Sequence, residues 1–342
     1  MQRMSVDPLT GVLFFPVTPF TAAGAIDTDM FAEHLRRGLA AGPGGVFAAC
    51  GTGEFHALDV AEYGRVVRTA VEVTGGAVPV FAGAGGPLPI AREFARAAAD
   101  AGANGLLLMP PYLTAAPPAG LVAYARAVAQ ASELPMIAYQ RGNAVFDPES
   151  AVELARIPQV IGLKDGLGDI DRLSRIVIAV RRALDGDGKQ FQFFNGMPTA
   201  EVSVPAYRGL GVELYSSAVF CFVPGVSLAF HHAVTGGDSA LTDRLLGEFF
   251  HPLVALRNQV PGYAVSLIKA GVRLRGLDVG GVRPPLVDPA PQHLAELERI
   301  IDAGLALARD REGDRYEARL FHACLPGKAP GGGTGTGRRG RV

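Results

Sequence analysis

Eight short runs of strand-forming residues recur along the first two thirds of the chain, and this recurrence constrains the fold more than any other feature. The runs begin near residues 11, 44, 77, 104, 134, 159, 191 and 211. Successive runs are separated by about 20 to 35 residues, which is the size of one βα unit. They are almost continuously apolar, as expected of strands covered on both faces. The pattern therefore predicts a parallel sheet with helices packed against it.

The segments between these runs carry helix signals. One helix is predicted to begin at Asp27 or Asp29, and another at Asp59 with its end at Gly75. Pro148 stands just inside the start of a further helix. Eight strand–helix units in about 220 residues fit a closed barrel better than a doubly wound sheet. The predicted fold class is α/β, a (β/α)8 TIM barrel with a C-terminal helical extension.

Further helical stretches follow the eighth run, so the barrel is expected to end near Gly236. The predicted division is a catalytic barrel over residues 1–236 and a helical extension over residues 237–322. Residues 323–342 form a tail rich in glycine and arginine. Since this tail has almost no side chains to bury, we expect it to be disordered.

Composition excludes several classes of function. The formal net charge is −1, from 32 Lys and Arg and 33 Asp and Glu residues, so neither nucleic acid nor a membrane surface is expected as a partner. No run of about 18 apolar residues and no signal-peptide pattern is present, and three scattered cysteines favour a reducing compartment, so we expect a cytoplasmic protein. The cysteines and histidines lack the spacing of a metal site, and no metal is assigned.

The sixth run ends in an unusual residue for a buried strand, Lys164. By strand alternation Lys164 shares a face with Val160 and Gly162, and Gly162 is expected to leave space beside the lysine stem. An amine held in an apolar barrel has a lowered pKa and can attack a ketone to form a Schiff base. A lone lysine at such a position more often extends to solvent or pairs with Asp165.

Two other strand ends carry groups suited to binding or proton transfer. Gly51, Thr52 and Gly53 follow the second run, and their amides and hydroxyl suit a carboxylate ligand, although an ordinary tight turn has the same composition. Tyr139 ends the fifth run and would lie at the barrel mouth if its face is the interior one. A tyrosine with a packed ring and a solvated hydroxyl is the commoner arrangement.

The combination of GTGE after the second run, Tyr139 at the fifth and GLKDG at the sixth resembles one family. This is the lysine-dependent, class I aldolase-like family of N-acetylneuraminate lyase and dihydrodipicolinate synthase. The resemblance extends from about Gly11 to Pro289 and includes PYLT at 111–114 and VRPPL at 282–286. Details such as YQRGN, GLKDGLGD and FFNGMPTAE look most like the branch of the family whose members are decarboxylating dehydratases.

The chain departs from the synthase and lyase at two site positions. Those enzymes carry Thr or Ser at the place of Gly51, so their tyrosine–threonine–tyrosine proton relay is incomplete here. The synthase and many lyases also have proline two residues after the tyrosine, where this chain has Arg141.

The resemblance implies catalytic roles for Lys164, as the imine-forming amine, and Tyr139, as a proton shuttle. It implies that the substrate is a small keto sugar acid, that no cofactor is needed beyond the covalent imine, and that the protein is a homo-oligomer, a dimer or tetramer. Tyr112 matches a tyrosine that enters the site of a neighbouring subunit. The implied substrate-binding residues are Gly51, Thr52 and Gly53 for the keto-acid carboxylate and Asn195, Gly196, Ser216 and Ser217 for hydroxyls. Arg141 is our hypothesis for a distal carboxylate, because a guanidinium can bind a carboxylate in bidentate fashion, and a surface loop arginine is the alternative.

Three alternatives remain open from the residues alone. A sibling activity, such as a 2-keto-3-deoxy sugar acid aldolase or a dihydrodipicolinate synthase-like enzyme, would use the same Lys164 and Tyr139. A barrel that binds sugar acids without catalysing a reaction would not need Lys164 and Tyr139. A phosphate-binding barrel could use the glycine-rich loop GAGG at 83–86 or CGTGE at 50–54.

Overall fold

The computed structural model describes residues 7–309 and shows a closed barrel of eight parallel strands in chain order, each hydrogen-bonded to the next and β8 to β1. All eight predicted strands are confirmed, and so is the TIM-barrel fold class. The strands are β1 Leu13–Phe14, β2 Gly45–Ala48, β3 Val80–Ala84, β4 Gly105–Leu108, β5 Met136–Gln140, β6 Val160–Asp165, β7 Gln192–Asn195 and β8 Leu214–Ser217.

A helix follows each strand, and the capping residues act as the sequence predicts. Asp27 caps the first helix, and Asp59 forms a capping box at the start of the second, which ends at Gly75 in the left-handed conformation. The barrel helices are α1 Thr28–Ala40, α2 Val60–Thr74, α3 Leu88–Asp100, α4 Pro118–Ala129, α5 Pro148–Ala155, α6 Ile170–Ala183, α7 Val204–Gly209 and α8 Pro224–Gly236.

The chain continues beyond Gly236 as a helical extension that packs against the barrel. Helix α12 contacts α8 and α11, so the extension is anchored on the last barrel helix. No helix between residues 7 and 309 is long and apolar enough to cross a membrane. The predicted tail and residues 310–322 of the predicted extension lie outside the described residues. The extension helices are α9 Ser239–Leu245, α10 His251–Arg257, α11 Tyr263–Leu274 and α12 Pro291–Arg309, with a π-helical turn at Leu246–Phe250 between α9 and α10.

Two cations from the extension connect it to the loop after β2 and to the first turn of α2. The Lys269 ammonium lies 2.7 Å from Glu54 Oε1, with both side chains fully buried. The Arg283 guanidinium pairs with Glu62 at 2.6 Å, and its backbone amide donates to Glu54 Oε2 at 2.9 Å. Both cations also stand over the ring of Phe20. We call Glu54, Glu62, Lys269 and Arg283 the extension clamp. It fixes the loop that carries the predicted carboxylate-binding residues.

Candidate active site

A cavity of about 160 Å³ opens at the carboxyl ends of the barrel strands. This is roughly ten times the space that one water molecule needs, so a small organic molecule fits. The extension closes one side of the cavity with residues of α10 and α11, including Leu253, Arg257 and Tyr263. Seven predicted site residues line the cavity: Gly51, Thr52, Tyr139, Arg141, Lys164, Gly196 and Ser216.

Lys164 is buried, with 6% of its surface exposed. Its ammonium lies 4.2 Å from the centre of the Phe15 ring and 4.7 Å from that of Tyr139, and makes no hydrogen bond within residues 7–309. Burial lowers its pKa to about 7, and the charge of Arg141 acts in the same direction. Cys50 would oppose this shift, but burial raises the pKa of that thiol to about 12, so the thiol is uncharged at neutral pH. A large share of Lys164 is therefore a neutral amine at neutral pH.

Tyr139 lies beside Lys164 because the two residues are register partners on β5 and β6. The phenol donates a hydrogen bond of 2.7 Å to the Gly196 carbonyl and accepts one of 3.3 Å from Arg141 Nη1. Burial raises the pKa of Tyr139, and Arg141 opposes that rise. The hydroxyl is therefore protonated and oriented, on a ring whose centre lies 4.7 Å from the Lys164 amine.

The space beside the Lys164 stem is left by Gly196. A Cβ at position 196 would lie 2.7 Å from Lys164 Cε and Cγ and 2.8 Å from Tyr139 Cε2, so one or both side chains would have to move. The sequence interpretation assigned this space to Gly162. A Cβ at position 162 would instead lie 2.8 Å from the Phe194 ring and 2.6 Å from the Gln192 carbonyl oxygen.

Part of the glycine loop after β2 lines the cavity, and part of it is buried. Gly51 and Thr52 line the cavity, whereas Gly53 is buried and its carbonyl accepts a hydrogen bond of 2.7 Å from Thr18 Oγ1. A Cβ at Gly51 would meet only Met109 Cε at 3.9 Å, so a hydroxyl-bearing side chain would fit there. The loop is strained, because Ala49 and Glu54 have φ of 48° and 56°. Such strain is typical of functional loops held by their surroundings.

The side chains of Asn195 and Ser217 form hydrogen bonds with protein groups and do not line the cavity. The Asn195 amide donates to the Ala200 carbonyl at 3.1 Å and to Ser203 Oγ at 2.9 Å. Ser217 Oγ donates to Glu201 Oε1 at 2.6 Å and is fully buried. Neither side chain is among the cavity lining, so their predicted contact with substrate hydroxyls has no support in the geometry.

Asp165, the neighbour of Lys164, does not pair with the lysine. Its carboxylate accepts hydrogen bonds from the Gln140 amide at 2.7 Å, from the backbone of Leu167 and Gly168, and from the Tyr207 hydroxyl. The carboxylate therefore shapes the loop after β6 and leaves the Lys164 amine unpaired. The pairing of Lys164 with Asp165, which the sequence left open, is therefore not what the structure shows.

The GAGG segment at 83–86, which begins in β3 and continues into the following loop, is explained by close packing. A Cβ at Gly83 would lie 2.3 Å from the Ala49 carbonyl oxygen, and one at Gly85 would lie 2.7 Å from Met109 Cβ. These glycines let the loops after β2, β3 and β4 approach one another, so they give no support to a phosphate site. Within residues 7–309 no group of three or more His, Cys, Asp or Glu side chains is arranged to hold a metal ion.

The sequence did not predict the cavity residues that lie away from the ends of the strands. Thr199 lies in the loop after β7 with φ of 52°, and Arg257 reaches the cavity from α10. No local pattern indicated that α10 would cover the barrel mouth. Tyr112, in contrast, stands in the loop after β4 and is 49% exposed beside the fully exposed Leu113.

Known proteins are similar to this chain in sequence and in fold. Residues 8–304 match the model of the dihydrodipicolinate synthetase family. The chain is 56% identical to a probable 5-dehydro-4-deoxyglucarate dehydratase 1 of Streptomyces avermitilis, over 90% of this chain and 97% of that one. It is 44% identical to a probable 5-dehydro-4-deoxyglucarate dehydratase of Paracidovorax citrulli, over 86% and 95%.

Solved structures show the same architecture. A dihydrodipicolinate synthase from Oceanobacillus iheyensis aligns with a TM-score of 0.78 at 25% identity, covering 86% of this chain and 96% of that one. YagE, a prophage protein of the dihydrodipicolinic acid synthase family from E. coli K12 in complex with pyruvate, aligns with a TM-score of 0.77 at 25% identity. That alignment covers 87% of this chain and 99% of YagE.

Proposed function

The chain belongs to the dihydrodipicolinate synthetase family, and we propose that within it the protein is a 5-dehydro-4-deoxyglucarate dehydratase. Such an enzyme is a lyase that removes water and CO2 from 5-dehydro-4-deoxy-D-glucarate and releases 2,5-dioxopentanoate. The substrate is a keto acid at one end and carries a second carboxylate at the other. The identity of 56% over most of the chain to a relative of that name supports this choice within the family.

One observation carries the chemistry. The unpaired amine of Lys164 faces a cavity that also holds the guanidinium groups of Arg141 and Arg257, and no Asp or Glu of residues 7–309 lines it. A neutral amine is the nucleophile that condenses with a ketone. Two further cations suit a substrate with two carboxylates.

The first half of the proposed reaction removes water. The Lys164 amine adds to the ketone, and loss of the carbonyl oxygen as water leaves a protonated imine. This imine draws electrons from the adjacent CH2, which loses a proton to give an enamine. The enamine expels the hydroxyl on the next carbon, which leaves as water after protonation. Tyr139 is suited to move these protons because its ring packs beside the amine and its hydroxyl is protonated and oriented.

The second half removes CO2 through the same lysine. Loss of water leaves an iminium conjugated with a carbon–carbon double bond, and the distal carboxylate is on the carbon bonded to the far end of this double bond. When CO2 departs, its bonding electron pair moves into the iminium and forms a dienamine. Protonation and hydrolysis then release the five-carbon aldehyde acid and regenerate Lys164. The proposed mechanism needs the covalent imine and no external cofactor.

Substrate binding is assigned by position. Gly51 and Thr52 are proposed to hold the keto-acid carboxylate, and Ser216 a substrate hydroxyl, because all three line the cavity. Arg141 is proposed to contribute to the distal carboxylate while donating to Tyr139. The exposed Tyr112 is consistent with a subunit interface, and a homo-oligomer remains our prediction. Cys50 and Cys221 are free and buried, which suits a reducing compartment such as the cytoplasm.

The test is product analysis of the purified protein with 5-dehydro-4-deoxyglucarate. The proposal predicts equal amounts of CO2 and 2,5-dioxopentanoate, and no release of either by the Lys164→Ala variant. Pyruvate and a shorter aldehyde would instead indicate the sibling aldolase. Binding of the acid without any product would indicate a barrel that has lost its chemistry.

A further inference from the structure

The cavity concentrates positive charge beyond what imine chemistry requires. Lys164, Arg141 and Arg257 all line it. Like charges gathered in a partly buried space repel one another, and this arrangement is stabilised when an anion binds between them. The keto-acid end of a substrate is already served by Lys164 and the glycine loop. Binding of the keto-acid carboxylate therefore does not explain why the cavity contains Arg257 in addition to Arg141.

Arg257 is the last residue of α10 and reaches the cavity from the extension. Its Nη1 donates to Thr199 Oγ1 at 2.8 Å, and its Nε and Nη2 donate to Asn258 Oδ1 at 3.2 and 3.1 Å. These partners are neutral, and Arg257 forms no ion pair in the part of the chain that the structure describes. Burial lowers the pKa of Arg257, and repulsion from Arg141 adds to this effect. The guanidinium is thus oriented but electrostatically uncompensated.

Thr199 completes the arrangement from the barrel side. It lines the cavity in the loop after β7 and adopts a left-handed φ of 52°, which is costly for a β-branched residue. Because its Oγ1 accepts the hydrogen bond from Arg257, its hydroxyl proton is available for a further acceptor. The pair therefore offers guanidinium and hydroxyl donors at one place.

We propose that Arg257, together with Thr199, forms the subsite for the second carboxylate of a six-carbon 2-keto diacid and is the residue that selects diacids over monoacids. This inference rests on the proposed function. Arg141 has one donor engaged with the Tyr139 hydroxyl, so its position serves the proton-transfer site as well. The hydrogen bonds that the structure describes for Arg257 go to Thr199 and Asn258 and not to Lys164 or Tyr139, so its proposed role is recognition.

The proposed chemistry predicts how Arg257 affects the kinetics. The distal carboxylate loses its negative charge as CO2 leaves, so a guanidinium bound to it stabilises the substrate at least as much as the transition state. Removing such an interaction raises KM and leaves kcat unchanged or somewhat higher. A residue with a merely structural role would lower kcat as well.

The test uses two six-carbon 2-keto acids that lack a leaving hydroxyl and therefore lose neither water nor CO2. One is 2-oxoadipate, with carboxylates at both ends, and the other is 2-oxohexanoate, with a methyl group at the distal end. Calorimetry measures the Kd of each. The wild type is expected to prefer 2-oxoadipate by about 10-fold or more, the range for a charged hydrogen bond. Arg257→Gln is expected to lose this preference while its Kd for 2-oxohexanoate stays the same.

Arg257→Lys keeps the charge but loses the planar fork, so an intermediate preference is expected. This variant also keeps the test valid if the glutamine variant folds poorly. The matched control is Arg36→Gln, which removes an exposed arginine of α1. An unchanged preference in both Arg257 variants, or equal weakening for both acids, would overturn the proposal. Failure of CO2 release from 5-dehydro-4-deoxyglucarate would refute the dehydratase activity, whereas the calorimetric preference is measured without turnover.

Discussion

The Tyr139 hydroxyl donates a hydrogen bond of 2.7 Å to the carbonyl oxygen of Gly196. Gly196 also leaves the space that the stem of Lys164 occupies, since a Cβ there would lie 2.7 Å from the Lys164 Cε. One backbone position thus orients the phenol and admits the amine. Because a carbonyl can only accept a hydrogen bond, the arrangement keeps the proton on Tyr139 until a substrate needs it.

Replacement of Tyr139 by phenylalanine separates imine formation from dehydration. The variant keeps the packed ring but loses the hydroxyl, so the amine of Lys164 stays buried and reactive. We expect pyruvate to be trapped on Lys164 by borohydride as in the wild type, while kcat for dehydration falls by roughly 10²- to 10⁴-fold. Steady-state rates and peptide mass spectrometry provide the two measurements. Dehydration at more than a tenth of the wild-type rate would exclude the proton-transfer role.

Gly196→Ala tests the close approach at the site. Its new Cβ would collide with Lys164 and Tyr139, so we expect loss of most activity together with a lower melting temperature. The matched control is Gly64→Ala in α2, where a Cβ would meet nothing within 4 Å and where alanine favours the helix by about 1 kcal/mol. Thermal unfolding and rates are measured for both variants. Full activity in Gly196→Ala would show that the two side chains do not need this gap.

The rate of imine formation with pyruvate is expected to depend on pH through Lys164. The neutral amine is the reactive form, and burial lowers its pKa to about 7. The rate should therefore rise as pH increases through about 7 and level off above it. Arg141→Gln removes a repelling charge, so the pKa should rise and the profile should move to higher pH. A rate that still climbs beyond pH 9 would indicate an ordinary lysine, whose pKa is about 10.4.

The extension clamp is expected to matter for both stability and binding. Lys269→Met leaves the Glu54 carboxylate buried without its ammonium, which costs about 3 to 5 kcal/mol of unfolding free energy. The double variant Glu54→Gln/Lys269→Met should lose less, because no unpaired charge remains. KM for the keto acid should rise in Lys269→Met, since Glu54 ends the glycine loop. Urea unfolding measures the stabilities, and Arg36→Ala, a surface control, should change them by about 0.5 kcal/mol or less.

Much of the fold follows from local sequence signals. The eight apolar runs gave the barrel strands, and Asp27 and Asp59 cap the helices that their positions predict. Lys164 and Tyr139 could be placed at the mouth because strand ends in this architecture point their side chains into one site. Side chains alternate between the two faces of a strand, so two neighbouring candidates cannot both face the cavity. Of Ser216 and Ser217, only Ser216 lines it.

The rest of the site depends on contacts between distant parts of the chain. Arg257 reaches the cavity only because α10 folds back over the barrel, and the Glu54–Lys269 pair joins residues 215 positions apart. Neither contact leaves a periodic trace in the sequence. The assignment of the gap beside Lys164 to Gly162 was wrong because the neighbouring strand β7 supplies a ring there.

The central claim is that Lys164 forms the imine through which both water and CO2 are lost. The chain has four lysines, Lys164, Lys189, Lys269 and Lys328, so the adduct can be located without ambiguity. The direct measurement is borohydride reduction during turnover of 5-dehydro-4-deoxyglucarate, followed by peptide mass spectrometry. The account predicts loss of activity with a reduced adduct on Lys164 alone. Turnover that continues without an adduct on Lys164, or an adduct on another lysine, would contradict it.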